Sequence, residues 1–269
     1  MPLKLTAGYR MDFGQIARIA AFCAEANAQL LTGQTIAEKL GISSARLHRL
    51  WMIATALGIG EKGTWKTSEL GRTLIQHDRF LDDLGTLWLL HYVISSDPGN
   101  TVWNTMVNHV LLENPLVTMA VAKRCFTGLM EQYTEASFSE HLNKEINAFF
   151  NAYTRQSFSH LDYLVEKSPR AYTLEGGSVP PKRIFEAALL LFRDRFSPQT
   201  VTIDIFSIAV DENSPGRVLG LTERQVRDLL EEIEGPGDIY VESRADLDQV
   251  RFSDDLTFLA AVRRYYEER

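Results

Sequence analysis

The stretch Thr86-Leu87-Trp88-Leu89-Leu90-His91-Tyr92 constrains this chain most. Read as a helix continuing into Val93-Ile94, it is apolar nearly all the way round, and such a helix has no face to give to water. Other elements must enclose it, so the chain must build a core around it. Its 269 residues, 45% hydrophobic and 23% charged, supply enough material for one large domain or two to three small ones. No apolar run reaches the roughly 18 residues that a membrane span needs. Residues 1–30 carry Asp12 and Glu25 and lack the apolar stretch of a signal peptide. These features predict a cytoplasmic protein with no membrane partner. Cys23 and Cys125 fall in apolar helical patterns and read as two buried free thiols. With no CxxC and no His/Cys cluster, a structural zinc is not expected.

Ahead of the apolar helix, a helix is expected near 13–27, with Ile16, Ile19, Ala20 and Cys23 on one face. Thr35 can cap a short helix that Gly41 ends. Ser43 or Ser44 can cap the next, whose core side is Leu47, Leu50, Trp51, Ala54 and Leu57. Gly58, Gly60 and Gly63 break the pattern, and Thr64-Trp65-Lys66-Thr67 suits a short strand. Two helices, a turn and a glycine-bounded ribbon are the parts of a winged helix-turn-helix. Residues 69–108 and 115–166 read as mostly helical, with a turn signal at Asp97-Pro98-Gly99-Asn100.

The run Glu175-Gly176-Gly177-Ser178-Val179-Pro180-Pro181 marks a boundary. Beyond it come a helix over 182–196, a shorter element over 201–209, and a helix from Thr222 to Glu234 that opens with a Thr-x-x-Gln capping box. A hairpin built on Ile239-Tyr240-Val241 and Gln249-Val250-Arg251-Phe252 and a helix over 257–268 close the chain. The predicted class is mainly α: a winged helix-turn-helix over 1–80, a helical middle over 81–174, and a winged-helix-like domain over 175–269.

Net charge is −7, yet residues 1–80 hold ten Lys and Arg against six Asp and Glu. A basic surface confined to one end of an acidic chain suits a site-directed DNA binder. On the presumed recognition helix Ser44, Arg46, His48 and Arg49 are the exposed positions, and Lys62 and Lys66 fall on the wing. Arginines there can reach phosphates or a guanine edge. In the second module Arg217, Arg224 and Arg227 are basic, but Asp228, Glu231, Glu232 and Glu234 repel phosphate, so dimerisation or partner docking competes with DNA contact. For chemistry, Asp82-Asp83 and Glu145 are candidate ligands of a divalent metal such as Mg2+, and His91 a candidate acid or base. The bland alternatives are a core histidine beside Trp88, and Asp82-Asp83 as a helix cap. There is no phosphate-binding glycine loop, GxSxG or HExxH. That disfavours a nucleotide-driven motor or a serine hydrolase, and no organic cofactor is expected.

Three stretches carry a family likeness. The first is Leu81-Asp82-Asp83-Leu84-Gly85-Thr86 running into the apolar helix through Tyr92. The second is Lys144-Glu145-Ile146-Asn147-Ala148-Phe149-Phe150-Asn151-Ala152-Tyr153. The third is Ser214-Pro215-Gly216-Arg217-Val218-Leu219-Gly220-Leu221, with Arg264-Tyr265-Tyr266 after it. Together they resemble the SspB-like family, first catalogued as a domain of unknown function. That resemblance implies double-stranded DNA as substrate and single-strand nicking in DNA phosphorothioation and phage defence. It also implies a cysteine desulfurase, an ATPase and an ATP pyrophosphatase-like protein as partners. The competing expectations are a non-enzymatic DNA-binding adaptor or regulator, and an interaction protein with no DNA contact.

Overall fold

In this computed structural model residues 3–25, 31–132, 134–235, 237–244, 247–253 and 255–269 are described. The fold is mainly helical with small antiparallel sheets. The chain forms two compact units, Met1–Glu175 and Gly176–Arg269.

The first unit opens with α1 (Phe13–Ala24), capped by Asp12, and its stripe of Ile16, Ile19, Ala20 and Cys23 is buried. The expected continuation to Asn27 lies outside the described residues. Then come α2 (Gly33–Leu40), α3 (Ser44–Ala56) and α4 (Glu69–His77). Next is α5 (Leu84–Ser95), buried at every position from Gly85 to Ser95, as its unbroken apolar surface requires. Asp83 caps it, accepting from the Thr86 amide at 3.0 Å, while the Asp78 carboxylate accepts from the amides of Asp82 and Asp83. The acidic pair therefore belongs to a helix start.

After α5, α6 (Thr101–Thr105) runs into a π turn over Met106–Val110 and on into α7 (Leu111–Glu113). The Asn104 and Asn108 side chains beside that turn donate to the Ser95 carbonyl at 2.9 and 3.3 Å. β1 (Val117–Thr118) leads into α8 (Met119–Arg124), and the long α9 (Glu135–Arg155) follows. The unit ends with β2 (Leu164–Ser168) and β3 (Ala171–Leu174), and the sheet order is β1-β3-β2, all antiparallel. The stretch 115–166, expected to be mostly helical, is helical through α8 and α9, with short strands at its two ends, Val117–Thr118 and from Leu164 onward. Cys125 is corrected: it sits just past α8 and is exposed, whereas Cys23 is buried.

The second unit is α10 (Lys182–Phe196), β4 (Thr202–Asp204), α11 (Ile205–Val210), α12 (Pro215–Leu219), α13 (Glu223–Ile233), β5 (Ile239–Arg244), β6 (Leu247–Phe252) and α14 (Phe258–Glu267). β6 lies between β4 and β5, antiparallel to both. The capping box at Thr222 and Gln225 forms as its spacing requires. The Ser-Pro-Gly-Arg stretch has a packing reason. Ser214 caps α12, Pro215 fills its first turn, and a Cβ at Gly216 would stand 2.6 Å from the Ala209 backbone. Only glycine lets α12 lie this close to α11.

Candidate nucleic-acid interface

The α2–α3 corner is built by local capping. Thr32 caps α2, Gly41 ends it in the left-handed region at φ 64°, and Ser43 caps α3. Ile36, Ala37, Leu47, Leu50 and Ile53 bury the inner sides, so the first turn of α3 faces solvent with Ser44, Arg46 and His48. Behind it, the loop over 60–67 is pinned by Trp65. The Trp65 ring meets His48 edge-on at 5.1 Å and Trp51 at 5.6 Å, and a Cβ at Gly33 would come within 2.7 Å of it. The Trp51 indole donates to the Thr64 carbonyl at 2.6 Å. Where a strand was expected at Thr64–Thr67, the described structure has an isolated bridge between Gly60 and Thr67. Two backbone bonds close the ribbon, from the Glu61 amide to the Lys66 carbonyl at 2.8 Å and from the Ser68 amide to the Ile59 carbonyl at 2.9 Å, and the aromatic packing adds to them.

The basic residues of this surface differ in how free they are. Lys62 is exposed and has no ion-pair partner among the described residues. Lys66 pairs with Glu61 at 2.8 Å, and Arg46 pairs loosely with Asp12 at 3.5 Å, both at solvent, where a phosphate can compete for the cation. Asp12 lies 34 residues from Arg46 in sequence, so no local pattern signals the pair. Arg49 is corrected from a base-reading side chain to an anchor. Its guanidinium donates to the carbonyls of Lys4 and Leu5, the latter at 3.1 Å, and holds the N-terminal segment on α3.

Glu145 grips the same segment from the other side. The Thr6 amide donates to Oε1 at 2.9 Å and Oε2 at 3.0 Å, the Thr6 hydroxyl to Oε2 at 3.0 Å, and the Ala7 amide to Oε1 at 2.6 Å. Burial pushes its carboxyl above the usual range, against the opposing pull of these donors and the Arg49 charge. His91 is fully buried, its Nδ1 2.5 Å from the Tyr153 hydroxyl and its ring packed against Trp88, Phe158 and Tyr163. Burial likewise holds the Tyr153 hydroxyl well above its ordinary range. The structure does not bring His91 and Glu145 to a surface where a phosphodiester could meet them. Among the described residues no three His, Cys, Asp or Glu side chains gather into a metal-holding group. The donor set around Glu145 therefore does not fit a magnesium ion, since both oxygens already accept two bonds each.

In the second unit Arg217 is partly buried and donates to the Val210 carbonyl at 3.1 Å. Arg227 makes a two-pronged pair with Asp248 at 3.1 and 2.6 Å. Arg224 is 91% exposed, with Asp228 at 4.0 Å. Glu223, Asp228, Glu231 and Glu232 share the exposed side of α13, so the face is acidic beyond its first turn.

No curated protein sequence matches the chain. The fold is similar to a magnesium-ion-bound SspB crystal structure at TM-score 0.77 and 16% identity, and to another SspB crystal structure at 0.76 and 17%. Each likeness covers 97% of this chain and 86% of the other. The family resemblance read from the three sequence stretches is thus matched by resemblance in fold. A family model described as a protein of unknown function, DUF4007, matches residues 22–266, and the chain belongs to that family.

Proposed function

We propose that this protein binds double-stranded DNA through the α2–α3 corner of its first unit and nicks one strand in an Ssp-type phosphorothioation and phage-defence system. The observation that carries the reading is the likeness in fold to SspB along almost the whole chain. The solvent-facing cations Arg46, Lys62 and Lys66 support it, with Ser44 exposed on the same first turn of α3 as Arg46. In the second unit Arg224 is the cation most open to DNA. Arg217 and Arg227 serve the fold first. The two units take the winged-helix element order in this reading. Cysteine desulfurase, ATPase and ATP pyrophosphatase-like proteins are the proposed partners.

A second reading, a DNA-binding adaptor that does not cut, is favoured by the burial of both His91 and Glu145. Two measurements separate the readings. Supercoiled plasmid incubated with the protein, with and without magnesium, yields open circles if it nicks; none under either condition leaves the adaptor. Anisotropy with a labelled duplex at several salt concentrations tests the surface. Arg46→Ala with Lys62→Ala should weaken binding and lower the salt slope by about one per lost phosphate contact. An unchanged slope in the folded double variant would remove α3 as the contact.

A further inference from the structure

Beside α3 lies a pocket of about 370 Å3. Trp51 and Met52 of α3 line it, with Lys62 from the following loop, Leu5 from the N-terminal segment, and Asp97 and Asn100 from the turn after α5. Met52 is 46% exposed although it is a large apolar side chain on a well-packed helix. The pocket combines apolar and aromatic walls, one unpaired cation and a few polar atoms, the usual makeup of a site for a small planar ligand. Asp97 accepts from the Gly99 amide through Oδ1, which leaves Oδ2. The Asn100 amide nitrogen donates to the Ile94 carbonyl at 3.1 Å, which leaves its oxygen. Two acceptors and an ammonium in one lining suit a base whose edge donates N–H groups and whose phosphate meets Lys62.

We propose that this pocket takes one nucleobase unstacked from the DNA held at the α2–α3 corner. The inference rests on the DNA-binding reading above and adds the element that meets a single strand. Aromatic and thioether side chains accept a base face without demanding a sequence. Capturing a base requires unpairing and unstacking it, a cost that an already unpaired base avoids. The wall at Leu5 is fixed because Arg49 holds Leu5 and Glu145 holds Thr6 and Ala7. In this arrangement Glu145 is a positioning residue for the pocket.

The test compares two labelled duplexes of one sequence, fully paired and with a single unpaired guanine, by anisotropy with the full chain. Wild-type protein should bind the bulged duplex about tenfold more tightly. Thr55 of α3 also lines the pocket, and Thr55→Trp, which adds bulk there, should cut that preference to within about twofold while leaving paired-duplex affinity in place. Met52→Ala at an exposed position is the second variant if Thr55→Trp does not fold, and it should cut the preference about threefold. Equal binding of the two duplexes by wild type, or a preference that survives the folded variants, would overturn the pocket but leave the DNA-binding reading standing. Binding of neither duplex at low salt would sink both. Guanosine monophosphate distinguishes a base in DNA from a free nucleotide. Millimolar competition against the bulge preference supports one shared site. Micromolar binding with no bulge preference assigns the pocket to free nucleotides and overturns its DNA origin.

Discussion

Glu145 looks like chemistry in the sequence and is architecture in the fold. A carboxylate buried in α9 needs donors, and the Thr6 and Ala7 backbone supplies them. Glu145→Gln turns an amide NH2 toward those N–H groups, so it should cost about 1–3 kcal/mol in urea unfolding and speed hydrogen exchange at Thr6 and Ala7. Wild-type exchange there would mean the clamp is not formed. The pH sign is also fixed. Because burial raises this carboxyl, the folded state holds its proton more tightly than the unfolded chain. The stability linked to this group is full below the usual carboxylate range and is lost as pH rises through the raised value. The cysteines give a second check. Burial takes the Cys23 thiol up to about 12, and it should react only after unfolding. Cys125 is exposed, its thiol raised by partial burial and then by Glu113. A thiol reagent should label one site in the native protein, faster as pH rises because the thiolate is the nucleophile. Two labelled sites, or none, would contradict the burial of the first or the exposure of the second.

At the level of elements, α5 sets the largest penalty. Trp88 is fully buried, so Trp88→Ala should cost about 3–5 kcal/mol through the cavity it leaves. Its indole nitrogen has no hydrogen-bond partner among the described residues, so Trp88→Phe removes no bond seen there and should cost clearly less. Equal losses in thermal melting would imply an unseen partner. In the second unit, α10 and α14 share the buried Glu186, which Arg264 meets at 2.8 Å and Arg183 at 3.0 Å. Asp238 completes the cluster. Burial pushes its carboxyl up, but bonds and charge from Arg264 and Arg183 outweigh that and hold it low. Arg264→Ala should destabilise by about 3 kcal/mol because it leaves buried charge underpaired.

These elements also show what a sequence can carry. α3, α13, β5 and β6 were legible because periodicity, caps and turn residues agree locally at each. The β2–β3 hairpin was not, because its strands are short and its turn is made at Arg170, held at φ 60° with no glycine to announce it. The site residues divide on the same line. Exposure of Arg46 follows from the period of α3, whereas the inward turn of Arg49 depends on Lys4 and Leu5 lying across it. His91 and Glu145 were visible as polar residues in apolar stretches. Their partners Tyr153 and Thr6, 62 and 139 residues away, were not.

For the whole molecule, the division at Glu175 predicts behaviour. Residues 175 and 177–179 are exposed, and a glutamyl endopeptidase should cut after Glu175 before it cuts within either unit. Early cleavage elsewhere would mean the joint is better protected than its exposure indicates. The family model crosses this joint, so the pair of units is what the family shares. Length inside the first unit is less strictly set. A π turn such as Met106–Val110 holds one residue more than the α-helix around it, and within it the Asn108 side chain donates to the Asn104 carbonyl at 3.1 Å. A relative one residue shorter here would return to α geometry with its register intact on both sides. An alignment gap of a single position at this turn would therefore record a tolerated deletion and not a change of fold.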